Sequence, residues 1–222
     1  MPVESFWMES EMVSVTKASV SEMRVSMIGV GNSVGSAGFT DVRYRLVFKN
    51  VKGFGIGFNL LLVPASISTL GKHSPSGVSI RVDKYSEDKL FSRCVVNNAA
   101  FDYYERCSED GYKIKTPPGN LRIWLFQLIS HSSTPMLQQG TLVDNSILKE
   151  YLGLYLPLLK LFLPDMMLGL KDRNDYASIY NEAIHELSHA SHFVQVGKTY
   201  WETFIKYIRC LPVWRGRRTE PL

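Results

Sequence analysis

Three of the chain's five histidines stand within eight positions, in the run His-Glu-Leu-Ser-His-Ala-Ser-His at residues 185–192. This run contains the His-Glu-x-x-His pattern of zinc hydrolases as His185, Glu186 and His189. On a helix, positions i and i+4 lie about 40° apart around the axis and one turn apart along it, so both imidazoles can reach one tetrahedral metal. Glu186 is then placed to take a proton from a water on that metal. The spacing predicts a zinc site with His185 and His189 as ligands and Glu186 as general base.

The third protein ligand that a catalytic zinc normally has is not fixed by this pattern. His192 points the same way as His185 on a continuous helix, but it lies about 10.5 Å further along the axis, which is a long reach for one metal. Glu202 is the nearest carboxylate downstream of the motif, and it can reach the site only if the chain turns back near Gly197. Glu202 and His192 are therefore kept as candidates for a third ligand or for a supporting role around the metal.

A metal-activated hydrolysis also needs a hydrogen-bond donor for the oxyanion that forms on the substrate. Tyr200 and His192 both follow the motif closely in sequence and carry suitable polar groups. Tyr200 is the predicted oxyanion donor, with His192 as the alternative.

The motif must lie on a helix for this chemistry, and the surrounding sequence predicts one. Asn174 or Asp175 is a suitable N-cap, and no glycine or proline interrupts the run before Gly197. Apolar side chains recur at helical spacing along one face. They are Tyr176, Ile179, Tyr180, Ala183, Ile184 and Leu187. The motif is thus predicted in mid-helix with an apolar face behind it, and a further helix is predicted from Thr199 to about Cys210.

The first part of the chain, from residue 11 to about 85, reads as β structure. Residues 42–48 have the alternation of a half-buried strand, and residues 58–63 and 78–82 read as further strands. The glycines of residues 53–58 have the wrong spacing for a nucleotide loop, and they predict a bulge or a close backbone approach instead.

A long helix is predicted next, from Ser86 to a stop near Gly111. The predicted fold class is α+β. It comprises a β-rich module at residues 1–85 and a zincin-like helical region at residues 86–222, which carries the motif helix with one adjacent strand.

That adjacent strand is predicted at Leu121 to Leu128, after the rigid turn Pro117-Pro118-Gly119, as a buried or edge strand. In zinc peptidases an edge strand near the active helix commonly holds an extended substrate by β-addition. We therefore expect this strand to take that role.

Composition narrows the remaining function classes. The net charge of +4 is modest, and neither finger spacing nor aromatic-basic interleaving argues for a nucleic-acid partner. The apolar stretch from Tyr151 to Leu170 contains Lys160, Asp165 and two prolines, so it predicts buried helix and strand and not a membrane span. The first residues have neither the basic nor the apolar region of a signal peptide.

The three cysteines predict no disulfide framework. Cys94 and Cys107 are expected on one helix, too far apart to bridge, and as small buried hydrophobes. Cys210 is the only thiol near the motif in sequence, and it leaves a closed structural zinc site as a minor alternative.

Several linked motifs between about Cys94 and Ile208 carry a family resemblance. They are Val95-Val-Asn-Asn-Ala-Ala-Phe-Asp-Tyr-Tyr, Pro117-Pro with Arg122-Ile-Trp, Thr134-Pro-Met-Leu, Leu163-Pro-Asp, His185-Glu-Leu-Ser-His-Ala-Ser-His-Phe, Val196-Gly and Tyr200-Trp. In these the chain resembles the zinc-metallopeptidase-like proteins of Bacteroidota, gluzincin in type and often secreted as lipoproteins.

The resemblance implies a zinc on His185 and His189 with Glu186 as base, and a secreted or cell-surface location. Members of that family continue into a glycine- and tyrosine-rich region with a glutamate as third ligand, which no position here matches. Residues 211–222 depart from the family pattern, so we expect a C-terminally truncated chain.

Two functions follow as expectations. The first is a zinc-dependent metallopeptidase that acts on a peptide or protein substrate. The second is a non-catalytic surface or binding protein with a degenerate metal site, which the unassigned third ligand motivates.

Overall fold

The computed structural model describes residues 14–16, 23–27, 42–50, 52–57, 66–73, 78–82, 88–109, 113–141, 155 and 162–210. Among the described residues, short strands predominate before residue 88, and three long helices follow after it. The strands are β1 Ser14–Thr16, β2 Met23–Met27, β3 Val42–Val47, β4 Gly55–Ile56, β5 Ile67–His73, β6 Val78–Val82, β7 Arg122–Phe126 and β8 Met166–Gly169. The helices are α1 Asp88–Ser108, α2 Tyr176–Val196 and α3 Lys198–Cys210.

The described strands form three small sheets. Strands β1, β2 and β6 form an antiparallel sheet, and β3 pairs with β5 in antiparallel register with an irregularity at Tyr44/Arg45. Strands β4, β7 and β8 form a parallel sheet in that order. The predicted mixture of helices and strands is confirmed, as are the strands near residues 42–48 and 78–82. The strand predicted at residues 58–63 lies outside the described residues.

The expectation that β7 offers a free edge to a substrate is wrong, because β7 is the central strand of its sheet. Ile123 pairs with Ile56 of β4 on one side and with Met166 of β8 on the other. The sequence did not indicate these neighbours, since β4 is only two residues long and β8 lies within a longer apolar stretch.

The other side of β8 is lined by residues 130–136, which we call the edge segment. Ser133 and Met167 exchange two backbone hydrogen bonds, of 2.9 and 2.8 Å, in an antiparallel bridge. Within the described part of the chain, no strand pairs with the outer side of the edge segment. The described border of this sheet is therefore the edge segment, which runs antiparallel to its neighbour.

Gly53 brings the β-rich part of the chain against the turn that precedes β7. Its φ is +98°, and a Cβ at this position would lie 1.8 Å from the carbonyl oxygen of Gly119. Only glycine accommodates both the backbone conformation and this approach. The close backbone approach predicted from the glycine-rich run is confirmed, and it places β4 beside β7.

The described core joins both parts of the chain. Helix α2 packs against α1, β8 and α3, and α1 also packs against β4. One face of α1 is apolar and buried, and it includes Val95, Val96 and Ala99. Tyr180 of α2 donates a 2.8 Å hydrogen bond to the carboxylate of Asp102 on α1. Helix α2 is therefore held from several sides.

Two cysteine side chains are described, and both lie on α1 as free thiols. Cys94 is buried, and the loss of hydration there raises the pKa of its thiol to about 12. Cys94 thus has the role of a small buried hydrophobe that the sequence predicted. The side chain of Cys210 lies outside the described residues.

Candidate metal centre

The motif helix begins and ends where the sequence predicted. The Asp175 side chain is the N-cap and accepts a 2.9 Å hydrogen bond from the backbone N–H of Ser178. At the other end Gly197 has φ +83° and ψ 164°, and its N–H donates to the carbonyl of Phe193 at 2.9 Å. The three motif residues lie in the middle of this helix, so its regular geometry fixes their relative positions.

His185 and His189 meet on the outer side of α2. Their Nε2 atoms are 3.3 Å apart, and their rings are nearly perpendicular, with centroids 4.8 Å apart. Two nitrogens that each lie 2.0–2.1 Å from one tetrahedral zinc are separated by roughly 3.3–3.4 Å. The pair thus already has the separation that a shared metal requires. Without a metal, a protonated ring nitrogen of one histidine can hydrogen-bond to the other.

Glu186 lies next to the histidines but in a different environment. Its side chain is only 4% exposed, whereas His185 is exposed and His189 half-buried. One ligand atom from each of the three residues lies within 4.8 Å of the others, which makes them a candidate metal cluster. The arrangement puts two imidazole nitrogens and one carboxylate close together.

Thr134, in the edge segment, is the contact of Glu186 that sequence reasoning missed. Its hydroxyl lies 2.6 Å from Oε2 of Glu186 and 3.1 Å from the Glu186 backbone oxygen. The two residues are 52 positions apart, and no local spacing pattern links them. Only the pairing of the edge segment with β8, and the packing of β8 on α2, brings them together.

His192 lies apart from the candidate cluster, among aromatic side chains of α3. Its ring is perpendicular to that of Trp201 at a centroid distance of 5.5 Å, and it also faces Phe204 at 6.2 Å and Tyr200 at 6.4 Å. These contacts make His192 a packing partner between α2 and α3.

The chain does turn back at Gly197, as a ligand from α3 would require, but Glu202 is not part of the cluster. Among the residues that the structure describes, the cluster consists of His185, Glu186 and His189 alone. Tyr200, the predicted oxyanion donor, is 57% exposed and lies beside His192. Glu202 as a third ligand and Tyr200 as a donor stay predictions.

Trp201 is the residue of α3 that approaches the histidine pair. It is 3% exposed, and its ring lies 6.3 Å from that of His189. Its backbone N–H donates to the carbonyl of Gly197 at 3.1 Å, which fixes the start of α3. Trp201 thus lies on one side of the histidine pair, next to His189.

An ion pair holds the edge segment and β8 against the motif helix. Arg173 lies 2.7 Å from the carboxylate of Glu182, one turn before the motif. The same guanidinium donates to the backbone oxygens of Ser130 and Gly169, each at 2.8 Å. The Glu182 side chain is half-buried in this pair. Its carboxylate therefore serves to position the elements around the site.

Asp165 is a fully buried carboxylate at the start of β8. It accepts hydrogen bonds from the backbone N–H groups of Gln139 and Arg122, at 3.1 and 3.3 Å, and from the Gln139 amide at 3.2 Å. Burial nevertheless raises the pKa of Asp165, because the loss of hydration outweighs the hydrogen bonds. This carboxylate fastens the turn at residues 137–141, which follows the edge segment.

Comparisons with family models, with curated proteins and with solved structures each return no significant match. The family resemblance drawn from the linked motifs therefore stays a prediction. None of the described helices has the length and apolar character needed to cross a membrane. Of the buried helix and strand expected between Tyr151 and Leu170, the strand is confirmed as β8, while most of residues 151–161 lie outside the described residues.

Proposed function

We propose that this chain is a metal-dependent hydrolase, with zinc held by His185 and His189 and with peptide bonds as its target. The observation that carries the proposal is the 3.3 Å separation of the two Nε2 atoms beside the buried Glu186 carboxylate. Neutral imidazoles one helical turn apart are a donor set that suits zinc. The adjacent carboxylate adds the proton acceptor that a hydrolysis needs.

Zinc, when bound, lowers the pKa of a coordinated water towards 7 and polarises a carbonyl oxygen. The protein residues supply the remaining functions. His185 and His189 provide two ligands from one rigid helix, and Glu186 accepts the proton of the attacking water. The hydroxyl of Thr134 donates a hydrogen bond to Oε2 of Glu186. We therefore assign Oε1 as the atom that accepts the proton of the attacking water.

An extended peptide is the substrate that suits the surroundings. The edge segment borders the described sheet, runs antiparallel to β8, and places Thr134 directly against Glu186. A peptide that adds to the outer side of this segment as a further strand would have its backbone close to the histidine pair. The combination of border segment, parallel sheet and motif helix supports a zincin-like arrangement.

The test compares the hydrolysis of a mixed quenched-fluorescent peptide library by zinc-loaded wild type and Glu186→Gln. We expect Glu186→Gln to retain zinc and to lose about 10²- to 10⁴-fold in kcat/KM, because it keeps the shape of the side chain without its basicity. Glu109→Gln, which changes an exposed glutamate just after α1, is the matched control and should keep both zinc and the wild-type kcat/KM. Equal turnover by wild type and Glu186→Gln would contradict the proposal.

A second candidate is a non-catalytic binding module with a weak metal site. It is favoured by one observation, namely that the described cluster has only two histidine ligands and that His192 and Glu202 lie outside it. This alternative predicts weak zinc binding and no peptide hydrolysis above the Glu186→Gln background. Loss of zinc on Cys210→Ser would instead indicate a structural site.

A further inference from the structure

We propose that Thr134 is a positioning residue that keeps the Glu186 carboxylate beside the metal site as a base and prevents it from becoming a ligand. This inference rests on the proposed function, since it assigns a task to the contact partner of the proposed base. It is drawn from the contacts of the edge segment.

The contact itself is short and buried. Thr134 is 6% exposed and Glu186 is 4% exposed, and the hydroxyl and Oε2 are 2.6 Å apart. A hydroxyl has one proton to donate, and of its two acceptors the carboxylate oxygen is both closer and charged. A carboxylate at this depth needs a donor, because an unpaired buried charge is costly. Thr134 therefore determines where Oε2 lies.

Thr134 can hold the carboxylate in place only if its own backbone is fixed. On one side, Ser133 exchanges two hydrogen bonds with Met167. On the other, the N–H of Met136 donates to the carbonyl of Asp165 at 3.0 Å. The edge segment is thus attached to β8 immediately before and shortly after Thr134.

The turn that follows the edge segment adds to this rigidity. Met136 is fully buried and has φ +58°, a conformation that non-glycine residues adopt only where their surroundings enforce it. The Thr141 hydroxyl lies against the carbonyl oxygens of Pro135 and Met136. The Asp165 carboxylate accepts two hydrogen bonds from Gln139. These contacts preorganise the segment that presents Thr134 to Glu186.

The Thr134 contact decides which of two roles the Glu186 carboxylate takes, that of a base or that of a metal ligand. One ligand atom of Glu186 already lies within 4.8 Å of the histidine ligand atoms, so a modest rotation brings it to a metal there. With Thr134→Val the side chain keeps its shape but loses the donor. The buried carboxylate is then stabilised by coordinating the metal ion instead. Thr134→Val should convert Glu186 from base to ligand.

The experiment measures kcat, KM and zinc affinity, and the visible absorption of the Co²⁺-substituted protein, which responds to an added oxygen ligand. For Thr134→Val we expect kcat to fall about 10- to 100-fold with KM within about threefold, and zinc affinity equal to or higher than that of the wild type. The Co²⁺ spectrum should change. Thr134→Ser restores the hydroxyl and should restore both kcat and the spectrum. Thr203→Val, at an exposed threonine of α3, is the matched control.

A metal-free measurement separates this inference from the proposed function. In a double-mutant cycle on the metal-free protein, the shifts of the urea midpoint for Thr134→Val and Glu186→Leu should be non-additive, because each substitution removes one partner of the same hydrogen bond. Additive shifts, or an unchanged kcat and Co²⁺ spectrum in Thr134→Val, would overturn the positioning role. A wild type that binds no metal but retains a coupled cycle would overturn the proposed function while leaving the contact established. If Thr134→Val does not fold, Thr134→Ala takes its place in both measurements.

Discussion

Neighbouring side chains on a helix point about 100° apart, and this difference separates the two roles within the motif. His185 projects outward, whereas Glu186 turns towards the edge segment and is almost completely buried. His189 returns to the direction of His185 one turn later, which brings the two Nε2 atoms to 3.3 Å. One regular helix thus places one exposed and one half-buried imidazole side by side, and a carboxylate in a shielded contact with Thr134.

The buried Asp165 leads to a prediction about how the stability of the fold depends on pH. Burial raises its pKa above the ordinary value of 3.8, so the folded chain binds this proton more tightly than the unfolded chain does. Its contribution to stability is therefore fully present below about pH 3.8 and is lost as the pH rises through the raised pKa. The free energy of unfolding of the wild type, minus that of Asp165→Asn, should decrease over this rise in pH.

Urea denaturation at a series of pH values measures this difference. Asp172→Asn, at an exposed aspartate just after β8, is the control and removes a carboxyl without removing a buried one. A difference that stays constant would show that the hydrogen bonds to Asp165 offset its burial, and a difference that increases with pH would show that they outweigh it.

At the scale of elements, the junction of α2 and α3 depends on Gly197. Its φ of +83° with ψ of 164° is a combination that only glycine adopts readily, although a Cβ there would contact nothing within 4 Å. Gly197→Ala should lower the free energy of unfolding by about 1–3 kcal/mol through backbone strain alone. It should also disturb the packing of Trp201 on His189 and His192, which near-ultraviolet circular dichroism reports.

The control is Thr199→Ala, two residues later at an exposed position of α3, which should change stability by less than about 0.5 kcal/mol. If both variants were equally stable, the conformation at Gly197 would not determine how α3 returns to the site.

The elements differ in how far the sequence predicted them. The bounds of α2 followed from local chemistry, since Asp175 caps one end, Gly197 ends the other, and apolar spacing marks the buried face. The place of β7 in its sheet did not follow from local chemistry, because strand order depends on pairing with β4 and β8 from distant parts of the chain. Thr134 escaped prediction for the same reason, as its contact with Glu186 is produced by tertiary packing alone.

The candidate site lies on the helix that joins most of the described core. Helix α2 packs on α1, β8 and α3, so a ligand bound to α2 stabilises the packed arrangement against unfolding. Zinc at 100 times its Kd should add about 2.7 kcal/mol. For a chain of this length that corresponds to a rise in Tm of about 5–11 °C. His185→Ala should not show the rise, and a wild type whose Tm is insensitive to zinc would argue against a site in the folded state.

Zinc stoichiometry measured directly on the chain tests whether His185 and His189 hold one metal ion. Wild-type protein that is stripped with a chelator, reloaded and dialysed should retain about one zinc per chain. His189→Ala should retain none, because a metal shared between two nitrogens that lie 3.3 Å apart needs both rings. Zinc at background level in the wild type, or equal zinc in wild type and His189→Ala, would contradict this account.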